Sequence, residues 1–175
     1  AGFRAVPNLE DTRLDLRWGS FDAYLTALKS HYRRQIRLNL EKARRAGLRA
    51  ERVSDFSPYA EDFVRLWNLT SERSKEYQRE RLSPDYFKSM ARNLGGEAFA
   101  TLFRLDGRLV GFTLFLANDG VLVPSYIGID YERNAEASLV FNAYYDWIRT
   151  GIELGFASIE LGITTYEPKR RLGAG

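Results

Sequence analysis

The chain contains no cysteine and a single histidine. Without cysteine there is no disulfide framework, no Cys-ligated zinc and no thiol nucleophile. With His31 alone, paired-His metal sites are excluded, as is a His-based triad unless His31 itself serves. No metal site is expected. Mean hydropathy is −0.37, and no apolar run approaches the ~18 residues that suggest a bilayer span, so no transmembrane helix is expected. The start, Ala1-Gly2-Phe3-Arg4, lacks the charged-then-apolar pattern of a secretory signal, and a cytoplasmic location is the expectation. The same start lacks an initiator Met and reads as a piece of a longer protein. What is present suits one domain: 175 residues with 45% hydrophobic content, enough for one sizeable core.

Charge is informative by its location. The formal net charge is +3. Residues 29–52 hold nine basic groups (Lys29, Arg33, Arg34, Arg37, Lys42, Arg44, Arg45, Arg49, Arg52) against Glu41 and Glu51, so this segment is +7 and the remainder −4. Such concentration is expected where one face meets a polyanion or a phosphorylated ligand.

Residues 1–19 read as an extended lead-in containing Pro7. Ser20 is a plausible N-cap for one long helix, whose apolar positions Phe21, Tyr24, Leu25, Leu28, Tyr32, Ile36, Leu40 and Ala43 step by three or four. Gly47 suits its C′ position, and a short strand is expected over Leu48–Val53. Ser57-Pro58 and Ser83-Pro84 each open a helix, with Ser as cap and Pro in the first turn. The period then changes to two. Ala98–Leu105, Arg108–Ala117 and Val121–Ile129 read as three adjacent antiparallel strands, joined at Asp106-Gly107 and Asn118-Asp119-Gly120. A long helix follows with Leu139, Val140, Ala143, Tyr144, Trp147, Ile148 and Gly151 on one face, then a final strand over Ala157–Leu161. Tyr144, Trp147 and Ile148 read as core, and Phe63, Trp67 and Trp18 as packing. The order predicts an α/β (α+β) layered domain on a mostly antiparallel mixed sheet flanked by helices, its last helix a crossover to a parallel strand.

That order, ending in strand–helix–strand, resembles the GNAT acyltransferase fold. Two segments carry the likeness. The stretch from Ser20-Phe21-Asp22-Ala23-Tyr24-Leu25 through Arg33-Arg34-Gln35-Ile36-Arg37 to Ala46-Gly47-Leu48 is similar to the first helix of the FemAB-like, or BioF2-like, acetyltransferase domains grouped with the Fem peptidyltransferases. Gly162-Ile163-Thr164-Thr165-Tyr166-Glu167-Pro168-Lys169-Arg170-Arg171-Leu172-Gly173 resembles their closing segment. The likeness covers most of residues 20–173, which makes 20–175 a single GNAT-like domain and one half of a longer parent, since Fem enzymes have two such halves. It departs from the family at Asp130-Tyr131-Glu132-Arg133-Asn134-Ala135-Glu136-Ala137. GNAT enzymes usually place there a glycine-bearing turn that cradles the acetyl-CoA pyrophosphate at a helix N-terminus. Here there is no glycine and there are added carboxylates, with Arg133 and Asn134 left as donors.

The resemblance implies N-acyl transfer from acyl-CoA, or from aminoacyl-tRNA as in Fem-type enzymes, to an amine acceptor, in the setting of cell-wall (peptidoglycan) or polysaccharide precursor synthesis. Such a reaction needs donors aimed at the oxygen that becomes negative in the tetrahedral intermediate. In GNAT-like sheets the third meander strand splays from the final strand and bares main-chain N–H groups, which implicates Tyr126, Ile127, Gly128 and Ile129, with Gly128 allowing close approach of substrate. Lys169 matches the closing-motif lysine implicated in stabilising charge near the scissile ester. Tyr166 is placed to position substrate or donate a proton, and Glu160 and Glu167 are candidate bases. Arg33, Arg34 and Arg37 recur along the first helix and suit phosphates of tRNA, CoA or an anionic precursor; a solvated face is the plain alternative. His31 reads as a boundary or surface residue. Two other functions fit the same residues: a nucleic-acid-binding module using the basic 29–52 segment, and a non-catalytic GNAT-like domain that recognises a precursor. The oligomeric state is left open.

Overall fold

A computed structural model describes residues 11–73, 80–162 and 166–173. Six strands form one sheet in the order β1-β6-β5-β4-β3-β2. They are β1 (Thr12–Asp15), β2 (Arg49–Val53), β3 (Ala98–Leu105), β4 (Arg108–Asn118), β5 (Val121–Ile129) and β6 (Ser158–Gly162). The helices are α1 (Phe21–Ala27), α2 (Ser30–Arg45), α3 (Ala60–Arg73), α4 (Pro84–Leu94), α5 (Tyr131–Ala137), α6 (Leu139–Glu153) and α7 (Tyr166–Arg171). Every strand pair is antiparallel except β5–β6, which is parallel across the α6 crossover. The expected mixed sheet flanked by helices is the one found.

Helices cover both faces of the sheet. On one, α3 and α4 bury Phe63, Leu66 and Phe87 against Phe112 and Leu114 of β4. On the other, α6 buries Tyr145, Trp147 and Ile148 with Leu122 and Ile159, and α1 and α2 add Tyr24, Leu25 and Ile36. The meander follows its sequence closely because its hairpin turns, Asp106-Gly107 and Asp119-Gly120, all have positive φ, which short hairpins between twisted strands require.

Three elements differ from expectation. The long first helix is two, because the chain is extended at Leu28 (φ −74, ψ 154). Arg33 Nη1 donates to the carbonyls of Thr26 and Leu28 there, so a side chain from α2 satisfies the end of α1. Ser20 caps α1 as expected, accepting from the Ala23 amide. Within the lead-in, Thr12–Asp15 is a strand paired antiparallel to β6. The glycine-free stretch after β5 is the helix α5, separated from α6 by Ser138 in the left-handed region (φ 50, ψ 47).

Candidate active site at the parted strands

β5 and β6 are paired only at Val121–Ser158 and Leu122–Ile159, although β5 runs on to Ile129. The sequence of β5 explains why they part. The Gly120 carbonyl points to β6, accepting from Ala157 and Ser158, and strand alternation turns Leu122 and Pro124 the same way. Pro124 has no N–H to give the next rung. Directly after it the β4–β5 register slips, Phe115 facing Pro124 and Leu114 facing Tyr126, so Ser125 is a bulge residue. A bulge re-aims the residues beyond it.

Beyond the bulge, the Asp130 amide donates to the Val110 carbonyl of β4, which fixes the alternation: Gly128 and Tyr126 turn their N–H groups to β4, and Ile127 and Ile129 turn theirs to the gap. The Ile129 amide is already taken, donating to Thr70 Oγ1 of α3 at 3.0 Å. Of the four residues expected to bare donors, Ile127 is therefore the one that presents its N–H between the parted strands. Its side chain packs toward α6, whereas Tyr126 packs with the α3–α4 core. Gly128 also has a packing reason: a Cβ there would overlap the ring of Phe112 and stand 2.7 Å from Leu66 Cβ.

Lys169 is buried, 3% exposed, and its Nζ donates to the Gly162 carbonyl at 2.9 Å. That carbonyl also accepts from Thr12 Oγ1 at 2.7 Å. The ammonium thus sits at the end of β6 where the strands have parted, on the β1 side. Burial lowers its pKa to about 8, against the opposing charge of Asp11. Glu160 lies on β6 past the last rung. Because Ile159 and Leu161 face the α6 core, Glu160 faces the α3 side, the face that Tyr126 occupies. Glu167 is exposed and accepts from Arg171 Nε at 3.1 Å. Tyr166 opens α7; its side chain lies outside the described residues.

Of the remaining candidates, Arg133, Asn134 and Arg33 hold hydrogen bonds within the fold. Arg133 donates to Asp106 Oδ2 at 2.8 Å and to Glu136 Oε2 at 2.7 Å; the hydrogen bonds to Glu136 and then Asp106 raise its pKa further. Asn134 Oδ1 accepts from the Val140 amide at 3.0 Å, bracing the start of α6. The Asp130 carboxylate accepts from the Glu132 amide. In the stretch where a pyrophosphate cradle usually lies, the Arg133 guanidinium and the Glu132 amide are thus already engaged. Arg33 donates from Nη1 to the α1 carbonyls, as above, and lines the same hollow as Arg34 and Arg37. Arg34 and Arg37 are exposed and line a shallow hollow of ≈ 340 Å³ with Leu38.

Sequence reading missed two features. A cavity of ≈ 630 Å³ lies between α2, α6 and α7, walled by Tyr32, Phe141, Tyr144 and Tyr145. At its floor Asn39 Nδ2 donates to the Tyr145 hydroxyl at 2.8 Å. His31 lines it and packs on Tyr32, the ring centroids 3.8 Å apart. The other is a hydroxyl pair, Tyr86 and Tyr126, 2.8 Å apart. Among the described residues, no group of His, Cys, Asp and Glu is arranged to hold a metal ion, and no helix is long and apolar enough to cross a membrane.

Residues 30–170 match the family model described as an acetyltransferase (GNAT) domain. The chain belongs to the GNAT family. A putative 8-amino-7-oxononanoate synthase 2 of Mycobacterium tuberculosis is 30% identical over 176 residues, a match covering 98% of this chain and 23% of that protein; it fits the BioF2-like branch expected from the two end motifs. The FemX crystal structure superposes with a TM-score of 0.77 at 13% identity, covering 94% of this chain and 58% of FemX. The C-terminal domain of a putative lysylphosphatidylglycerol synthetase from Agrobacterium fabrum gives 0.59 at 18% identity, covering 94% and 50%. These structures share the GNAT domain's fold, and the chain spans about a quarter of its curated relatives' length and little more than half of FemX.

Proposed function

We propose that this GNAT domain transfers an acyl or aminoacyl group from a thioester or aminoacyl-tRNA donor to an amine, and that the transfer takes place where β5 leaves β6. The observation that carries the reading is the Ile127 N–H, turned into a gap that opens at Pro124, with a buried lysine at the open end of β6. A carbonyl oxygen in the gap accepts from Ile127; as the amine attacks, the growing negative charge is met by a donor that needs no reorganisation. Lys169, with a pKa near 8, carries a proton it can release near neutrality, and protonates the departing thiolate or ribose oxygen.

Two faces supply the two substrates. The cavity between α2, α6 and α7 has the volume of a small-molecule site and suits the body of the donor. The α3 side of the gap, the face of Glu160 and Tyr126, suits the acceptor. Because Arg133 is already paired with Asp106 and Glu136, the donor's anionic groups fall instead to the exposed arginines Arg34 and Arg37 of α2. A cell-wall or polysaccharide precursor, acted on in the cytoplasm, is the acceptor setting this reading favours.

The test is turnover with acetyl-CoA and with aminoacyl-tRNA, using a panel of primary amines, in the wild type and in Lys169→Ala. Transfer that falls at least a hundredfold in the variant supports the assignment. Equal turnover in both removes Lys169 from the mechanism. Absence of transfer with every donor, together with salt-sensitive RNA binding, favours the nucleic-acid-binding alternative.

A further inference from the structure

The hydroxyl pair on the α3–α4 face has an unusual hydrogen-bond balance. Tyr126 donates to Glu80 Oε1 at 3.5 Å, and its oxygen lies 2.8 Å from that of Tyr86. Either hydroxyl can donate within the pair; in the arrangement where Tyr126 donates to Glu80, Tyr86 donates to Tyr126. Both hydroxyl donors are then used. What the cluster still offers is acceptor capacity alone: a lone pair on Tyr126, the lone pairs of Tyr86 and the carboxylate of Glu80. The complement is a group rich in donors and positively charged.

The rings around it have the same preference. Tyr126 meets Trp67 at 5.2 Å and 83°, Tyr86 at 5.8 Å and 82°, and Phe87 at 5.9 Å and 81°. Near-perpendicular rings form a corner whose faces carry negative quadrupole potential, which attracts an ammonium. Its open side is formed by Tyr86, 38% exposed, and the exposed Glu80, with Tyr126 and Trp67 half-buried and Phe87 fully buried behind them. It is also in the right place: Tyr126 directly precedes Ile127, whose amide faces the gap.

We propose that Tyr126, Tyr86 and Glu80 form the receptor for the acceptor's nitrogen, and that the acceptor is a primary amine arriving as its ammonium ion; this rests on the transferase reading above. In the reaction the ammonium gives one proton to the Glu80 carboxylate, which passes it to solvent. The freed lone pair forms the C–N bond to the donor carbonyl. The second nitrogen proton leaves by the same carboxylate as the tetrahedral intermediate collapses. The C–S or C–O bond of the donor breaks, and its leaving atom takes a proton from Lys169. Burial, the Tyr86 hydrogen bond and the Glu80 charge raise the Tyr126 pKa, so this hydroxyl remains protonated and acts in orientation while Glu80 accepts the proton.

The test separates binding from transfer. Tryptophan fluorescence is titrated with n-butylammonium chloride and, in parallel, with uncharged n-butanol, in the wild type, Glu80→Gln and Tyr126→Phe. Expected are saturable binding of butylammonium by the wild type, affinity weaker by about tenfold in Glu80→Gln, the scale of losing a charged hydrogen bond at an open site, and no saturation with butanol. Equal affinities for the two probes, or unchanged butylammonium affinity in Glu80→Gln, overturn the proposal. Glu80 is at the surface, so its amide variant is expected to fold; matching circular dichroism checks this. Amine-dependent turnover is read separately. A raised amine KM in Glu80→Gln with an unchanged donor KM supports the receptor. Wild-type protein that binds butylammonium yet transfers nothing strikes the transferase reading and leaves the ammonium site standing.

Discussion

The Thr70 hydroxyl accepts the Ile129 amide at 3.0 Å, and this contact marks one end of the gap in the sheet. The Leu122–Ile159 pairing marks the other. Between these closures the Ile127 amide is held in direction by its ladder to β4, so the gap has fixed length and depends on α3. Replacing Thr70 by Val keeps the shape and removes the acceptor. Ile129 is fully buried, and its stranded N–H costs about 1–3 kcal/mol. Thr70→Val is expected to lower the urea midpoint with an unchanged m-value, while Thr70→Ser, which retains a hydroxyl, recovers most of the loss. Wild-type stability in Thr70→Val would mean that Ile129 has another partner.

Gly128 tests whether its bareness serves packing or substrate. Its missing Cβ would overlap the ring of Phe112, which cannot withdraw easily because it is stacked on Phe63 with centroids 3.8 Å apart and planes 3° off parallel. Gly128→Ala is expected to lose about 1–3 kcal/mol through forced repacking, seen as a lowered Tm without any substrate present. A variant with wild-type Tm and only a raised substrate KM would favour the close-approach role.

What could be read from sequence followed local rules. The meander strands and their turns were legible because period-two stretches end at Asp-Gly pairs whose backbone needs positive φ. The helix opened by Ser83-Pro84 was legible from its cap. At Ser57-Pro58 the helix start was legible but the cap was not, since Ser57 itself begins a 3-10 turn, Ser57–Tyr59, ahead of α3 and gives its amide and hydroxyl protons to Asp55. The break at Leu28 was not, because the apolar stripe runs through it unchanged and the stabilising group, Arg33, acts from the next helix. Likewise Thr12–Asp15 becomes a strand only because β6 offers an edge. At the site, Lys169 was reached through family likeness, and its burial against Gly162 depends on the fold. The departure of β5 from β6 did leave a signal: a proline, Pro124, inside an otherwise regular strand. The hydrogen bonds of Arg133 and Asn134 were not legible, because their partners, Asp106 and Val140, are brought to them by a hairpin and a helix start.

Lys169 gives stability a signature at high pH. Burial favours the neutral amine, so the folded pKa, about 8, lies below the unfolded value, and between them the unfolded chain binds more protons. Stability therefore rises as pH increases from about 8 toward 10.5, and this contribution is lost as pH falls back through the folded value. Lys169→Met removes the titrating group and should flatten that part of the profile, measured as urea midpoints at closely spaced pH values. A wild-type profile that is already flat there would place the ammonium in solvent.

Asp146 supplies a second signature, with the opposite sense and in a lower range. It lies on α6, 9% exposed, and its Oδ2 has no hydrogen-bond partner. Burial raises its pKa to about 6, outweighing the Thr101 hydroxyl and the Arg149 and Arg52 guanidiniums, while Glu153 adds to the rise. The folded state thus holds the proton more tightly than the unfolded chain. This group's contribution is fully present below its ordinary aspartate range and is lost as pH rises through about 6. At pH 7.5 the fold carries a buried, incompletely paired carboxylate. Asp146→Asn replaces it with a neutral group of the same shape, so the variant is expected to be more stable than the wild type at pH 7.5 and nearly equal to it at pH 4. Urea midpoints across that interval test the difference directly. If Asp146→Asn is instead less stable at pH 7.5, the carboxylate is held by the two arginines as an ion pair, and Arg52, which already bonds Thr150 and Glu153, is the first residue to replace.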